Sequence, residues 1–226
     1  MTNFTNQTLQ EIENNATYDN CTLQLYGDNQ DLTGCKFKKC KFKSEVVLIY
    51  GSKNCSFQNC EFEELRIANE INATTISECN INYLNLETTK IEDKSLSFIE
   101  ANNSIQKLNL HWTDLKEIPS AVLQLKTLRN LYLGNNYIKM VPENIIKLYQ
   151  LELLDLTDNK VESLPNSLSQ LQKLKVLGLS GNSIQQIPGI QSMKQLSNLI
   201  LDHKSFSPEQ QKVIREYLPS CDVFFE

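Results

Sequence analysis

Residues 151–173, which read LELLDLTDNKVESLPNSLSQLQK, decide the fold of this chain. Apolar residues recur through the stretch, but Asn159 and Pro165 interrupt them. This mixture fits neither the 3.6-residue period of one long helix nor the two-residue period of one long strand. The stretch therefore predicts one unit of a repeated structure.

The same lettering returns on both sides of this stretch at a spacing of 23 residues. A single unit of this size cannot bury its apolar edge alone, so neighbouring units are expected to stack into a solenoid. Matching units begin at Leu128 and Leu174, a further copy begins at Ile105, and a shortened copy begins at Leu196 after a one-residue deletion near Gly189.

The pattern LxxLxLxxNxLxxLPxxIxxLxx resembles the leucine-rich repeat in its 23-residue Leu-Pro form, over about residues 81–206. The resemblance implies an α/β solenoid, a right-handed array with short helical or 3₁₀ turns on its convex side and short strands lining a concave face. The asparagine amide both donates and accepts, so we expect it to bond backbone groups of adjacent coils. Proline then ends the strand because it has no N–H to donate.

A second, five-residue periodicity runs from about residue 21 to residue 91. The triplet CKF at 35–37 is followed by CKF at 40–42, and CSF and CEF return twenty residues later. These residues resemble the pentapeptide repeat, which implies β-helical coils with the cysteine and phenylalanine side chains pointing inward. Irregular leucine-rich repeats throughout are the alternative, because Ser52 and Asn72 occupy positions where an apolar residue is expected.

The two periodicities share a register around residues 81–91, and no Gly/Pro/Ser-rich linker separates them. We therefore expect a single continuous solenoid. A short helix is expected at about residues 7–13, and Ser207 reads as the N-cap of another helix. The predicted sections are an N-terminal cap (1–20), pentapeptide-like β-helical coils (21–91), leucine-rich repeats (81–206) and a helical C-terminal cap (207–226).

Composition argues against several functional classes. The net charge of −5 and the pI near 5.2 do not suit a general nucleic-acid binder, whose surface is basic. The opening residues MTNFTNQTLQ lack the charged and apolar regions of a secretory signal, and no apolar run is long enough to span a bilayer. We therefore expect a cytoplasmic protein without a membrane partner.

No pattern of residues points to catalysis or to a metal. His111 and His203 lie at opposite ends of the repeat array, about 19 Å apart at a strand spacing of ~4.8 Å. The seven cysteines lack CxxC spacing. Cys35 and Cys55 should stack within disulfide range, but the simpler interpretation is reduced thiols that fill small inward positions. We expect no enzyme activity and no cofactor.

The concave face of the leucine-rich half is the candidate binding site. Several outward strand positions are apolar or aromatic where the repeat does not require it, and polar residues surround them. Such a composition is typical of a binding hot spot. The alternatives are that the amino-terminal coil covers Trp112, or that Leu153 and Val176 are merely tolerated. The predicted partner-binding residues are His111, Trp112, Tyr132, Leu153, Asp155, Val176 and Ile200.

The leucine-rich resemblance implies a non-catalytic module that binds a protein partner. Its combination with pentapeptide-like coils resembles bacterial proteins, which suggests an immunity or inhibitor protein, or an effector or scaffold. The pentapeptide resemblance implies an alternative, regulation of a DNA-processing enzyme by DNA mimicry. The lysines at 36–43 depart from the acidic stripes that mimicry needs, so a nucleic-acid-related role is less expected.

Overall fold

The computed structural model describes residues 2–25, 32–43, 47–50, 54–68, 74–91, 96–100 and 104–226. Ser52 and Asn72, two positions that do not fit the five-residue pattern, lie outside these ranges. The chain divides into two compact units, residues 1–109 and residues 110–226. Within the described ranges, no helix combines the length and the apolar character that crossing a membrane requires.

The first unit consists of short parallel strands that form two sheets. One sheet contains β1 (Asn3–Thr5), β3 (Thr17–Asp19), β5 (Lys36–Lys38), β8 (Ser56–Gln58) and β10 (Thr75–Ser77). The other contains β2 (Thr8–Leu9), β4 (Thr22–Leu23), β6 (Lys41–Phe42), β9 (Glu61–Ala68), β11 (Asn80–Asn85) and β12 (Lys107–Asn109), with β7 (Val47–Tyr50) beside β9. A short helix, α1, spans Ser97–Glu100.

Strand β2 corrects one expectation from the sequence. The predicted helix at residues 7–13 is wrong, because Thr8 and Leu9 pair in parallel with Thr22 and Leu23 of β4. The polar sequence favoured a helix locally, but the neighbouring coil offers a complete set of backbone partners. Tertiary pairing overrides a weak local preference of this kind.

The core of the first unit is a column of stacked aromatic rings. Tyr18, Phe37 and Phe57 follow one another at ring-centroid distances of 4.8 Å, with interplanar angles of 11° and 8°. Phe42 and Phe62 stack beside them at 4.5 Å. Strand pairing repeats one coil after another, so each ring lies above its equivalent in the previous coil. The inward direction of these residues agrees with the sequence pattern, whereas their assignment to the pentapeptide repeat stays a prediction.

The corners of these coils share one local geometry. Lys39 adopts a left-handed conformation with φ of 53°, and the thiol of the following Cys40 donates to the carbonyl of Lys38 at 3.3 Å. The thiol thus adds a second donor to a carbonyl that already accepts from the N–H of Asn20 at 2.9 Å. The same bond, to the carbonyl two residues earlier, occurs at 3.4–3.5 Å at Cys21, Cys35, Cys60 and Cys79.

The second unit alternates parallel strands with 3₁₀ helices. Its strands are β13 (Asn130–Tyr132), β14 (Leu153–Asp155), β15 (Val176–Gly178), β16 (Asn198–Leu201) and β17 (Asp222–Phe225). Its 3₁₀ helices span Val122–Gln124, Glu143–Lys147, Asn166–Gln170, Ile190–Ser192 and His203–Ser205, and one α-helix, α2, spans Pro208–Tyr217. The 3₁₀ turns agree with the leucine-rich pattern.

The strand register of the second unit confirms the repeat boundaries. Leu131 pairs with Leu154, and Leu154 pairs with Leu177, so the spacing is 23 residues. Leu177 then pairs with Leu199, which is 22 residues further on. The single missing residue is the deletion that the sequence places near Gly189, and all of these paired leucines are fully buried.

Buried asparagines hold successive repeats together. The Asn159 amide donates to the carbonyls of Leu133 and Leu156 at 2.9 and 3.0 Å, and its Oδ1 accepts from the N–H of Ile138 at 3.0 Å. Leu133 and Ile138 belong to the previous repeat, so one side chain spans two coils. Asn136 and Asn182 make the equivalent bonds. The predicted role of the repeat asparagine is confirmed.

The end of the second unit contains the helix and strand that the sequence suggests. Ser207 accepts from the N–H of Gln210 at 3.3 Å, and the Gln210 side chain accepts from the N–H of Ser207 at 2.8 Å, which forms a capping box. Phe224 of β17 pairs with Ile200 of β16. Whether this segment acts as a terminal cap stays a prediction.

Candidate functional site

The parallel strands of the second unit arrange their outward residues in two columns. One column is Asn130, Leu153, Val176, Asn198 and Asp222, and the other is Tyr132, Asp155, Gly178, Ile200 and Phe224. Up to β16, these are the columns that the sequence predicts. Five of the seven predicted site residues therefore share one face of one sheet.

His111, which precedes the first of these strands, reaches across the face to Asp155. Its Nε2 lies 3.1 Å from the Asp155 Oδ2, although 44 residues separate them in sequence. The imidazole ring also meets the Tyr132 ring edge-on, with 5.8 Å between centroids. The Asp155 Oδ1 accepts from the N–H and the hydroxyl of Thr157 at 2.9 and 2.8 Å. The four side chains form one polar and aromatic cluster.

Glycines make room for this cluster. A Cβ atom on Gly134 would lie 3.1 Å from the His111 Nε2 and 3.0 Å from the Thr157 Oγ1. A Cβ atom on Gly178 would lie 2.9 Å from the Asp155 Oδ1. Contacts this short require a neighbour to move, so the two glycines allow His111 to extend over the next repeat. Both glycines are visible in the sequence, but the sequence does not indicate that the side chains of His111 and Asp155 need the space above them.

The environment of the Asp155 carboxyl favours its ionised form. Burial is the largest single influence and raises its pKa, but hydrogen bonds from His111 and from the backbone and hydroxyl of Thr157 together outweigh it. The pKa of Asp155 therefore lies below its usual range. The side chains of His111 and Asp155 remain 24% and 22% exposed, so a partner can still contact the pair.

Trp112 stands beside this cluster with its side chain in solvent. The residue is 58% exposed, the second-highest exposure among the exposed large apolar residues of the described chain. Its φ of 57° is in the left-handed region, which bulky residues rarely adopt. The ring that meets Tyr132 is that of His111, and the Trp112 side chain is open to solvent.

The structure adds one residue that the sequence interpretation missed. Phe224 is 49% exposed and continues the column of Ile200 by one strand. The partner-binding residues predicted from the sequence end at Ile200, one strand earlier. Val223 is buried and Phe224 is exposed, as expected for successive residues of a strand. This alternation is the signal that could have identified Phe224 as an outward residue.

A row of charged residues borders the columns where the strands begin. Glu152 contacts Arg129 at 2.6 Å and Lys175 at 3.0 Å, each from a neighbouring repeat. These ion pairs lower the pKa of Glu152, with Lys175 as the larger influence and Arg129 as the second. Exposed pairs of this kind contribute little to stability, but they fix the side chains along this border.

The first unit does not present a continuous acidic surface over its described residues. Glu61 forms an ion pair with Lys41 at 3.0 Å and pairs on its other side with Asn80. Glu63 accepts a hydrogen bond from Asn82 at 2.7 Å. Because basic and amide side chains alternate with the acidic ones, this surface does not favour DNA mimicry.

The described residues also contain no group of three or more His, Cys, Asp or Glu side chains arranged to hold a metal ion. All seven cysteines are free thiols, and six of them are buried. Stacking of Cys35 above Cys55 therefore serves packing and hydrogen bonding in this structure. The thiols stay within the small inward positions that the sequence assigns to them.

Comparison with known proteins agrees with this architecture. The family model described as a leucine-rich repeat region matches residues 124–216. Together with the 23-residue register and the asparagine bonds, this match identifies residues 124–216 as a leucine-rich repeat region. A comparison with curated proteins finds no match.

Solved structures with a similar fold include proteins of bacteria. A leucine-rich repeat protein of Leptospira interrogans is 23% identical with a TM-score of 0.62, over 90% of this chain and 60% of that one. An internalin of Listeria monocytogenes is 17% identical with a TM-score of 0.56, over 93% of this chain and 74% of that one. Internalin C2 of the same organism is 21% identical with a TM-score of 0.57, over 73% and 71%. At these identities the similarity shows the fold alone.

Proposed function

We propose that this chain is a non-catalytic binding module that holds a protein partner on the concave face of its leucine-rich repeats. The observation that carries the proposal is the conformation of Trp112. Its equivalents in the next three repeats are Asn135, Asp158 and Gly181, at φ of 57°, 52° and 69°. Those residue types adopt the left-handed region more readily than tryptophan does.

A tryptophan at this corner carries a backbone cost. A strained backbone residue of this kind costs on the order of 1–3 kcal/mol. A side chain that is 58% exposed forgoes more than half of the burial that a tryptophan can contribute to folding. Backbone strain of this kind is concentrated at functional positions, and tryptophan is a typical binding anchor.

The cluster around His111 supplies the polar part of the proposed site. His111 is held between the Tyr132 ring and the Asp155 carboxylate, so its orientation is set before a partner arrives. Side chains that are ordered in advance lose less conformational entropy on binding. The cluster therefore suits specific recognition of a polar group on the partner.

The second part of the proposed site is apolar. Leu153, Val176, Ile200 and Phe224 lie on adjacent strands and are all at least partly exposed. Adjacent apolar groups with polar neighbours have the composition of a protein-binding patch. An extended face of this type fits a protein surface better than a small molecule, which needs an enclosing pocket.

Two biological roles fit such a surface, and we favour that of a bacterial immunity or inhibitor protein. The net charge of −5 would attract a basic toxin or enzyme and speed its association. An effector or scaffold that binds a signalling protein is the other role. The identity of the bound partner distinguishes the two.

The test is a pull-down from native lysate, read by mass spectrometry. The wild type is compared with the triple variant Trp112→Ala/Tyr132→Ala/Leu153→Ala. The matched control is Met140→Ala/Ile146→Ala/Tyr149→Ala, which removes exposed apolar side chains that lie outside the strands. The proposal predicts a protein that the wild type and the control retain and the first variant loses, with a loss of affinity of about 2 kcal/mol or more per anchor. Retention by all three places the binding surface elsewhere.

A further inference from the structure

Strand β17 has one edge that faces away from β16. In a parallel ladder, alternate residues of a strand bond to opposite neighbours. Asp222 and Glu226 donate their N–H groups to carbonyls of the preceding repeat at 2.8 and 2.9 Å. The backbone groups of Val223 and Phe225, which alternate with those residues, therefore point to the other edge, called the open edge because no strand of the described residues pairs with it. Such an edge is a template for pairing with another strand.

The side chain of Arg215 lies across this edge. Arg215 of α2 donates from its Nη1 to the carbonyl of Val223 at 2.5 Å. Its guanidinium carbon also lies 4.9 Å from the centroid of the Phe225 ring. Both contacts involve the two residues whose backbone faces outward. We propose that Arg215 is a gatekeeper that closes this edge against pairing with a second copy of the chain.

The second copy is the natural occupant because the edge is self-complementary. In an antiparallel pair of two β17 strands, Val223 of each copy would exchange hydrogen bonds with Phe225 of the other. The two-fold axis would then pass beside Phe224, which is 49% exposed and would face its equivalent. This is the isologous contact that closes a symmetric dimer. Arg215 already donates to the Val223 carbonyl, which this pairing would need as an acceptor.

Charge adds to this barrier at neutral pH. In the same arrangement Asp222 would lie opposite Glu226 of the second copy, and like charges directly opposite one another disfavour pairing. High salt screens such repulsion, since the Debye length falls to about 3 Å at 1 M. The contribution of Arg215 is therefore best measured in molar salt.

The test compares Arg215→Ala with Lys212→Ala on the 226-residue chain. Lys212 is one turn earlier on the same helix, and its partner is Glu216 at 3.9 Å. Lys212→Ala therefore removes one positive charge, as Arg215→Ala does, but leaves Arg215 in place over the edge of β17. We expect light scattering in molar salt to show a mass that rises towards twice 25.9 kDa with concentration for Arg215→Ala. The wild type and Lys212→Ala should remain monomeric. A monomeric Arg215→Ala protein up to millimolar concentration overturns the proposal.

Amide exchange locates the contact. The N–H groups of Val223 and Phe225 should exchange at least about tenfold more slowly in the assembled variant, because only pairing at the open edge protects them. Association without that protection places the contact elsewhere and also overturns the proposal.

A second substitution tests the same contact. The variant Arg215→Ala/Phe224→Lys should return to monomer, since two opposed lysines repel across the new pair. If Arg215→Ala fails to fold, Arg215→Met retains the aliphatic stem and carries the same expectations.

Discussion

The two units turn their coils at similar corners but satisfy the corner carbonyls with different side chains. In the first unit the residue after the left-handed position is a cysteine, and the Cys40 thiol lies 3.3 Å from the Lys38 carbonyl and 3.5 Å from the Tyr18 carbonyl. In the second unit it is an asparagine, and Asn159 donates to two carbonyls at 2.9 and 3.0 Å. Both side chains reach their own coil and the previous one.

The difference lies in what each donor can do. A thiol is a weak donor on a small side chain, so it fits beside a stack of aromatic rings. An amide also accepts, and Asn159 uses this to hold the N–H of Ile138. The amide of Asn159 therefore also holds the segment around Ile138 that follows the corner of the previous repeat. Asn159 makes these bonds in repeats that pair at a spacing of 23 residues, whereas Cys40 belongs to coils that pair at a spacing of about 20 residues.

Threonine provides an intermediate case in each unit. Thr89 donates its hydroxyl to the carbonyl of Ile67 at 2.6 Å, and Thr113 donates to the carbonyl of Leu110 at 2.7 Å. Each follows a left-handed residue, Thr88 or Trp112. The corner thus requires an inward donor, and the residue type can vary.

The aromatic stack should give the largest effect. Phe57 is fully buried and stacks on Phe37 at 4.8 Å. Phe57→Ala should lower the free energy of unfolding by about 3–5 kcal/mol, measured by denaturant unfolding. The matched control is Phe224→Ala, which removes a half-exposed ring. Equal losses for the two variants would refute the stack as the core of the first unit.

The second-largest loss of stability is expected on removal of the amide donor Asn159. Asn159→Ala leaves two buried carbonyls and the N–H of Ile138 without their partner, so we expect a loss of roughly 2–4 kcal/mol. Asn144 is exposed within a 3₁₀ helix, and Asn144→Ala should change stability little. A variant at position 159 as stable as that control would mean that water replaces the amide.

The thiol donor should matter less. Cys60 is fully buried and donates to the Gln58 carbonyl at 3.4 Å. Cys60→Ala should cost about 1–2 kcal/mol, from a small cavity and one weak hydrogen bond. Cys221→Ala, at a half-buried site, serves as the control. A cost at position 60 as large as that of Asn159→Ala would contradict the ranking of the two donors.

Strain at Trp112 predicts a change in the opposite direction. Trp112→Asn places a residue that tolerates positive φ at this corner, so the protein should become more stable by about 1 kcal/mol while partner binding weakens. Trp112→Ala retains the unfavourable backbone conformation and should show the loss of binding without the gain in stability. Thermal unfolding and affinity measurements separate the two outcomes. An asparagine variant that is less stable would show that the tryptophan packs favourably.

The smallest effect concerns pH. Because the pKa of Asp155 is lower in the folded protein than in the unfolded chain, its contribution to stability is present above about pH 3.9 and is lost as pH falls through the folded pKa. Asp155→Asn should therefore flatten the acid limb of the stability curve. Carboxyl chemical shifts give the pKa directly, and a value at or above 3.9 would contradict the proposed hydrogen-bond stabilisation.

Much of the structure of the second unit can be predicted from the sequence, because the residues that specify each repeat lie close together along the chain. The positions of Leu154, Asn159 and Pro165 within one unit predict a strand, a buried donor and a turn, and repetition fixes the register. The short strand at Thr8 and Leu9 could not be predicted from the sequence, because its residues form a strand only where a neighbouring coil supplies hydrogen bonds.

The sequence by itself determined the repeat, the inward residues and the outward columns, since these depend on spacing along the chain. Only the tertiary structure decided that His111 passes over Gly134 to Asp155, that Trp112 occupies a left-handed corner, and that Arg215 covers the edge at Val223. The physical reason is the same in each case. These contacts depend on backbone angles and on the distance between neighbouring repeats, which residue spacing alone does not specify.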